Sequence, residues 1–483
     1  MLTIQILSEA ERQRIHARSL DILEKSGVRF PGTKALHLLD EAGAFIDWDR
    51  QVARLPEKLV EQALQLAPKS FTLGARNPAY NYAVPSQAAR YCIDGTAAFA
   101  VDFWDGERRY GTRKDNQDGL RVFQQADLGV MAWAPTTASD APSASRALHE
   151  FFTMMKYSSK HGEHELHSVE QVPYLVAGLK VVLGSETDIR LRRNYSLIFC
   201  PVAPLSHDGA MLDAYLLLGE YDLPVTVMPM PVSGSTGPGS LFANTCLANA
   251  EFLASLVIFQ VAHPGRPVLY GNATGTLDFS SGAFLGGSPE MGLMAGAAVE
   301  MGKFYGLPTV TAGMTSDANQ PGPQAVIEKL ITTLPPALAG ADIIVGYGEI
   351  ESDQALVLEQ ILVDNEIAHL CQRLCEGISA APAADLLEDI LQVGPGGHFL
   401  KQRSTRQAAR SSEFYLPKLI DRHPYESWLG LGKPDLYSQA REQVSAILSA
   451  ELVDPLPEKV IQELDQILNI ADKELTNANN TTQ

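Results

Sequence analysis

Positive charge is scarce in this chain. Among 483 residues, 38 Lys and Arg stand against 57 Asp and Glu, for a net charge of −19. Without a basic face there is no counterion release to gain from a phosphate backbone, so a nucleic-acid partner is set aside. Cysteine is sparse as well. Cys92, Cys200, Cys246, Cys371 and Cys375 are too scattered for a disulfide framework, which suits a reducing compartment and leads us to expect a cytoplasmic location. The opening residues are charged almost from the start and hold no apolar signal core, and the richest apolar run, Phe252 to Ala262, is too short to span a bilayer. Two nucleotide and metal signatures are also missing, the GxxxxGK[ST] phosphate loop and the HExxH pair. GSTGPGS, from Gly234 to Ser240, has the glycine content of a dinucleotide loop but the wrong spacing.

What is present is a large core. With 45% apolar and 20% charged residues the chain can bury a substantial interior and has room for more than one lobe. The first lobe reads as helical. Ser8 caps a helix from about Glu9, with Glu11 as capping-box partner, and short helices follow near Thr33 to Ala42 and Pro56 to Leu66. Phe71 to Val84 reads as a connecting segment. Short β runs then alternate with helical stretches. The candidate strands are Arg90 to Ile93, Val130 to Trp133, a weak one near Lys156 to Lys160, Ser196 to Cys200, Val225 to Met228, Val268 to Gly271, Thr309 to Ala312 and Ile343 to Gly346. Between them lie helices such as Asp208 to Leu218, Leu241 to Ala262, Pro289 to Tyr305 and Gln324 to Leu338.

This alternation specifies an α/β protein with a parallel sheet, and eight strands at this spacing favour a (β/α)8 TIM barrel over an open sheet. The expected division is an N-terminal helical lobe over 1–85, the barrel core over 86–352, and a C-terminal helical extension over 353–483. In such a barrel the active site forms from the segments just after each strand. Those segments are polar and rich in Gly and Pro here, and they include Asp94, Asn272, Asp317 and Glu349.

Several residues invite a chemical reading. His161, His164 and His167, with Glu163 and Glu165 between them, have a spacing that could gather zinc for a metal-dependent hydrolase. The same spacing suits an exposed helix face or loop, so no metal site is assigned. Cys371 and Cys375, one helical turn apart in an apolar pattern, read as core packing. Aromatic rings near strand ends (Tyr91, Phe99, Trp104, Trp133, Tyr195, Tyr270, Phe279, Phe284, Tyr347) could attract an ammonium ion through their quadrupoles. Ser235 and Thr236 precede a long helix, so their amides are a candidate cradle for a carboxylate, with a tight turn as the competing reading.

The central and C-terminal run resembles the trimethylamine methyltransferase superfamily, specifically its members without pyrrolysine, such as the glycine betaine type. The matching stretches are PVAPLSHD, MPMPVSGSTGPGSL, NAEFLAS with HPGRPVLYG, GSPEMGLMAGAAVEMGKFYGLP, AGMTSDANQPGPQA, EQILVDNEIA and GGHFL with LPKLIDR, in one consistent order over more than half the chain. The resemblance implies a TIM barrel that passes a methyl group from an amine to Co(I) of a separate corrinoid protein. No DxHxxG cobalamin signature occurs here, so cobalamin is expected on that partner and no cofactor on this chain. The archaeal amine enzymes carry pyrrolysine, whereas this chain has only ordinary residues. A quaternary amine is already cationic and needs only to be caged and aimed, so it is the expected substrate. Glycine betaine is favoured over proline betaine, carnitine and γ-butyrobetaine. No catalytic residue is assigned. Tyr91, Tyr270 and Tyr347 are expected to form the cage, Asp94 or Glu349 the compensating charge, and Ser235, Thr236 and Asn272 the grip on a substrate carboxylate. A ligand-binding barrel without catalysis remains the other alternative, and the oligomeric state is open, a homo-oligomer being common for such barrels.

Overall fold

A computed structural model describes residues 2–481, and at its centre eight parallel strands close into a barrel. In chain order they are β1 (Arg90–Ile93), β2 (Gly129–Ala132), β3 (His161–His164), β4 (Tyr195–Phe199), β5 (Val225–Val227), β6 (Val268–Asn272), β7 (Thr309–Ala312) and β8 (Ile343–Tyr347). β8 pairs with β1, Val345 opposite Cys92, and closes the ring. The strands β4 to β8 are buried along their whole length, as expected of a parallel sheet covered on its outer face by helices and filled within by side chains. Each strand is followed by one helix of the outer ring: α1 (Arg113–Gln124), α2 (Arg146–Tyr157), α3 (Val172–Leu183), α4 (Gly209–Leu218), α5 (Leu241–Ala262), α6 (Pro289–Phe304), α7 (Pro323–Ala339) and α8 (Leu358–Glu376).

Three details differ from the sequence reading. The third strand is His161–His164, not Lys156 to Lys160, because Lys156 and Tyr157 belong to the last turn of helix α2. The connecting segment forms a β-hairpin, Phe71–Leu73 with Tyr82–Val84, whose Gly74 meets the start of β3 and β4: its N–H donates to Arg193 O at 3.0 Å and its carbonyl accepts from His161 Nδ1 at 2.7 Å. The hairpin thereby plugs the N-terminal end of the barrel. Helix α8 packs on α7, α1 and β8, so the region from 353 onward begins with the eighth barrel helix, and the barrel core runs to Glu376.

Helix α5 is long and apolar enough to cross a membrane by length and composition, a length the sequence reading placed at only Phe252 to Ala262. Its most apolar window is 83% buried, under the N-terminal helices Glu9–Lys25, Thr33–Glu41 and Glu57–Leu66. That burial explains why it lacks an exposed polar face: it is packed by the barrel on one side and by the N-terminal lobe on the other. Helix Glu9–Lys25 starts with the expected Ser8/Glu11 capping box.

Candidate active site

Strand alternation decides which side chains reach the barrel axis. On β3, Gly162 and His164 point outward. A Cβ at Gly162 would meet the Tyr195 ring and Met154 of α2, and His164 Nε2 donates to Glu150 Oε2 of α2 at 3.1 Å. His161 and Glu163 point inward. Glu163 Oε2 lies 2.8 Å from Ser196 Oγ on β4 and accepts from the Thr226 hydroxyl on β5, two strands away, a reach possible only across the interior. His161 Nε2 is 2.9 Å from the same Ser196 hydroxyl. Burial lowers His161 to about 4 and raises Glu163 to about 7, so the neutral form of each is favoured. Gly74 O can only accept, so His161 carries its proton on Nδ1, and the single proton of Ser196 Oγ lies between two acceptors, His161 Nε2 and Glu163 Oε2. Glu163 Oε1 is buried with no partner.

Above this axial layer, at the C-terminal end of β1 and β8, lies a group of three acids. Asp94 follows β1 directly and its N–H donates to Tyr347 O at 3.1 Å. Glu349 follows β8, and Asp353 enters from the turn Glu351, Ser352, Asp353. All three of these turn residues are left-handed, at φ 58°, 55° and 65°, a conformation that costs a non-glycine residue energy and is held by its surroundings. The holding contacts are Glu351 N–H to Ala318 O (3.0 Å), Ser352 N–H to Ser316 O (2.7 Å), Ser352 O–H to Asp317 Oδ1 (2.7 Å) and the Arg108 to Glu351 ion pair (2.8 Å). One carboxylate oxygen from each of Asp94, Glu349 and Asp353 falls within 4.8 Å of the others.

Glu349 is fully buried, and neither of its oxygens nor Asp353 Oδ1 has a hydrogen-bond partner. Asp94 Oδ1 accepts its neighbour's amide, from Gly95 at 2.9 Å, and the Asp94 and Asp353 carboxyls lie close enough to share a proton. Burial, and then the other two acids, push Glu349 well above the ordinary carboxylate range. Asp353 rises for the same reasons, burial first and Asp94 second. Asp94 rises to about 6, chiefly by burial, opposed by the Gly95 amide and by Lys329. Two buried acids and a half-buried third this close cannot all be ionised without a cation among them. The nearest cation is already committed: Lys329 Nζ donates to Met314 O (2.8 Å), Gly346 O (2.8 Å) and Asp364 Oδ2 (2.9 Å), both partners of the ion pair being fully buried. Its work is to pin the backbone just after β7 and at the end of β8. The axial and upper layers adjoin, since the Cys92 thiol, held up mainly by burial, is pushed further by both Glu163 and Asp94.

Of the residues expected from the sequence, Asp94 and Glu349 are brought together, and Asp353 completes the group unforeseen. The three tyrosines do not form a cage. Tyr91 and Tyr347 stack at 5.2 Å, but behind the sheet: Tyr347 also meets Phe123 of α1 edge-on and bonds Asn365 of α8. Tyr270 faces α5, with its hydroxyl donating to Asn249 at 2.9 Å and its ring on Phe252. All three occupy outward-facing strand positions, so each packs between strand and helix. Trp133 is the ring beside the acids. It packs directly on the Gly95 backbone, leaving no room for a Cβ there, and its indole N–H donates to His164 Nδ1 at 3.0 Å.

Ser235 and Thr236 make no anion cradle. The Ser235 amide donates to Val232 O within an exposed tight turn, Thr236 Oγ1 accepts from Val232 N–H, and helix α5 starts later, capped by Ser240. Asn272 is buried at the end of β6 with its amide donating to Thr274 Oγ1 at 3.0 Å, and it joins neither the turn nor the acids by any bond. The histidine cluster is also dispersed. His161 faces the axis, His164 faces α2 and His167 is exposed, so they form no metal centre; among the described residues the acids are the group with convergent ligand atoms.

A parallel barrel whose strand ends present a buried acidic group is an enzyme architecture suited to a small cation. Residues 1–475 match the family model described as trimethylamine methyltransferase (MTTB), so the chain belongs to that family and is a methyltransferase. It is 31% identical to trimethylamine methyltransferase MttB of Methanosarcina barkeri (strain Fusaro), with 97% of this chain and 96% of the relative covered. It is 30% identical to the glycine betaine methyltransferase of Desulfitobacterium hafniense (strain Y51), with 88% of each chain covered. The solved monomethylamine methyltransferase of Methanosarcina barkeri superposes with a TM-score of 0.47 at 11% identity, over 97% of this chain and 94% of that one.

Proposed function

We propose that this methyltransferase acts on a quaternary amine, glycine betaine first among them, and transfers one N-methyl group to Co(I) of a separate corrinoid protein. The observation that carries the reading is the buried acidic group at the barrel mouth. Glu349 and Asp353 offer oxygens without donors beside the Asp94 carboxyl, an environment that favours a cationic substrate over a neutral one. Only ordinary residues are present, so no covalent activator of a neutral or protonated amine is supplied. The glycine betaine relative supports the same substrate class.

The reaction balances simply: the N–CH3 bond breaks with its electron pair staying on nitrogen, a tertiary amine leaves, and the methyl group joins the cobalt, whose two electrons form the new bond. The corrinoid supplies the nucleophile. This chain supplies position. Its carboxylates attract the substrate cation, and Lys329 and the braced turn at Glu351 to Asp353 hold them in place. Since the charge on nitrogen disappears as the methyl leaves, the acids bind the substrate more strongly than the product; they select and release, while rate comes from aim.

A carboxylate about 5 Å from a fixed cation, at an effective dielectric of about 20, contributes about 3 kcal/mol, or roughly 100-fold in affinity. Calorimetric titration tests the reading. Glycine betaine should bind with heats that depend on the buffer's ionisation enthalpy, because the cation displaces protons from the acids, and Asp94→Asn or Glu349→Gln should weaken it on the order of 100-fold. Binding that is indifferent to both variants, or no binding of any quaternary amine, contradicts it.

A further inference from the structure

A betaine has two ends, and the acids at the barrel mouth account for one of them. Three cations on the elements around those acids are already spoken for: Lys329 by Asp364, Arg108 by Glu351, and Arg109 by Asp102 and Asp115. The turn at Ser235 and Thr236 is closed on itself, and Asn272 donates to Thr274. A substrate carboxylate therefore needs a donor of another kind.

Glu163 has the position for it. His161 of β3 pairs with Met131 of β2 and Gly162 with Ala132, while Met131 pairs in turn with Cys92 of β1. Carrying this register on by two residues sets Glu163 beside Trp133 and Trp133 beside Asp94, so Glu163 and Asp94 share one level of the barrel with their side chains turned to the axis. Adjacent strands are about 4.8 Å apart, which separates β1 from β3 by roughly 10 Å at the backbone, a span that two inward carboxyl side chains can bridge around a small zwitterion. The chemistry fits as well. Oε2 of Glu163 faces β4 and β5, where it accepts from the Thr226 hydroxyl and lies 2.8 Å from Ser196 Oγ, whereas Oε1 is buried with no partner. Its bonded partners are two hydroxyls, with no cation among them. A carboxyl so placed stays neutral, and burial raises Glu163 to about 7. With Oε2 engaged as an acceptor, the proton is offered through Oε1, an unspent O–H donor inside the barrel. A lysine or arginine at this level would pair with Asp94 and its neighbours; a neutral acid donates to an anion and leaves them free for the ammonium.

We propose that Glu163 is the specificity residue for the substrate's carboxylate, its Oε1–H donating to that group while the acids at the mouth hold the ammonium. This rests on the quaternary-amine reading above and adds to it the reason a betaine is chosen over a plain tetraalkylammonium ion. Calorimetric titration of the full chain with glycine betaine and with ethyltrimethylammonium, which offers the same cationic group without a carboxylate, tests it. Glu163→Met should weaken glycine betaine about 10- to 100-fold and ethyltrimethylammonium by no more than about 2-fold. Glu163→Gln, whose amide can donate from the same place, should keep most of the preference. Because Glu163→Met leaves the Ser196 and Thr226 hydroxyls against an apolar group and can weaken the barrel, a second measurement uses the wild type: the ratio of the two affinities against pH. Any acid that acts on the ammonium, whether Asp94, Glu349, Asp353 or Glu165, acts on both ligands alike and cancels in the ratio. Burial keeps His161 neutral and the Cys92 and Cys200 thiols protonated, so the ratio reports Glu163 and should fall as pH rises through about 7, and stay flat in Glu163→Gln. Equal losses for the two ligands in Glu163→Met, no loss for either, or a wild-type ratio indifferent to pH would overturn the inference and leave the quaternary-amine reading in place; no binding of either cation to the wild type would overturn both.

Discussion

Replacing Lys329 by Met should be among the most damaging single changes outside the acids themselves. The ammonium is fully buried and satisfies two carbonyls and the Asp364 carboxylate, which also accepts from Gly348 N–H and Gln360 Nε2 at 2.7 Å each. Burial already pushes Asp364 upward against the pull of Lys329. Removing the cation leaves a buried charge uncompensated, at a cost of about 3–5 kcal/mol. At roughly 2.1 cal/mol/K per residue, the unfolding entropy of a chain this size is about 1 kcal/mol per degree, so differential scanning calorimetry should show Tm falling by about 3–5 °C. Relative to the single variant, Lys329→Met/Asp364→Leu newly orphans the Gly348 amide and Gln360 Nε2, at about 1–3 kcal/mol, but removes the uncompensated charge, so the double variant should melt above the single one by about 2 °C. Lys329→Met within about 1 °C of wild type, or a double variant less stable than the single, would refute the view that this pair is a compensated charge holding the β7 and β8 loops.

Gly95→Ala should displace Trp133, break its bond to His164 and lower methyl transfer at least 10-fold with little change in secondary structure; unchanged intrinsic tryptophan fluorescence would show that the ring had not moved. Stability should also depend on pH through Glu163. Its folded pKa, about 7, lies above the unfolded value, so the native state holds a proton that the unfolded state has lost, and stability is full below about 4.5 and declines as pH rises to about 7. The loss attributable to this one group is roughly 3 kcal/mol. Glu163→Gln should flatten the decline in urea titrations between pH 5 and 7, and a decline as steep as wild type would place the titrating group elsewhere.

The barrel was readable from the β/α alternation because buried parallel strands are short apolar runs and most of the outer helices begin with a cap or a proline, as at Ser288/Pro289 of α6. The third strand was misplaced because HGEH contains no apolar residue. Its polarity serves the axial network of His161, Glu163, Ser196 and Thr226, so a functional interior erased the strand's own signal. The tyrosine cage failed on parity. Nearness to a strand end does not say which face a residue takes, whereas the period of two puts Cys92 and Asp94 toward the axis and Tyr91 toward the helices. Asp353 gave no signal, since it reaches the acids through three left-handed residues of which none is glycine. Ser240, not Ser235, caps α5, and Pro238 between them marks where the turn ends and the helix approach begins.

The most direct measurement mixes the protein with a cognate corrinoid protein reduced to Co(I) and follows the visible spectrum over a single turnover, first with glycine betaine and then with trimethylamine. The account predicts conversion to methyl-Co(III) with glycine betaine, formation of one equivalent of dimethylglycine, and no conversion with trimethylamine. Methylation of the corrinoid from trimethylamine, or from no quaternary amine at all, would contradict it.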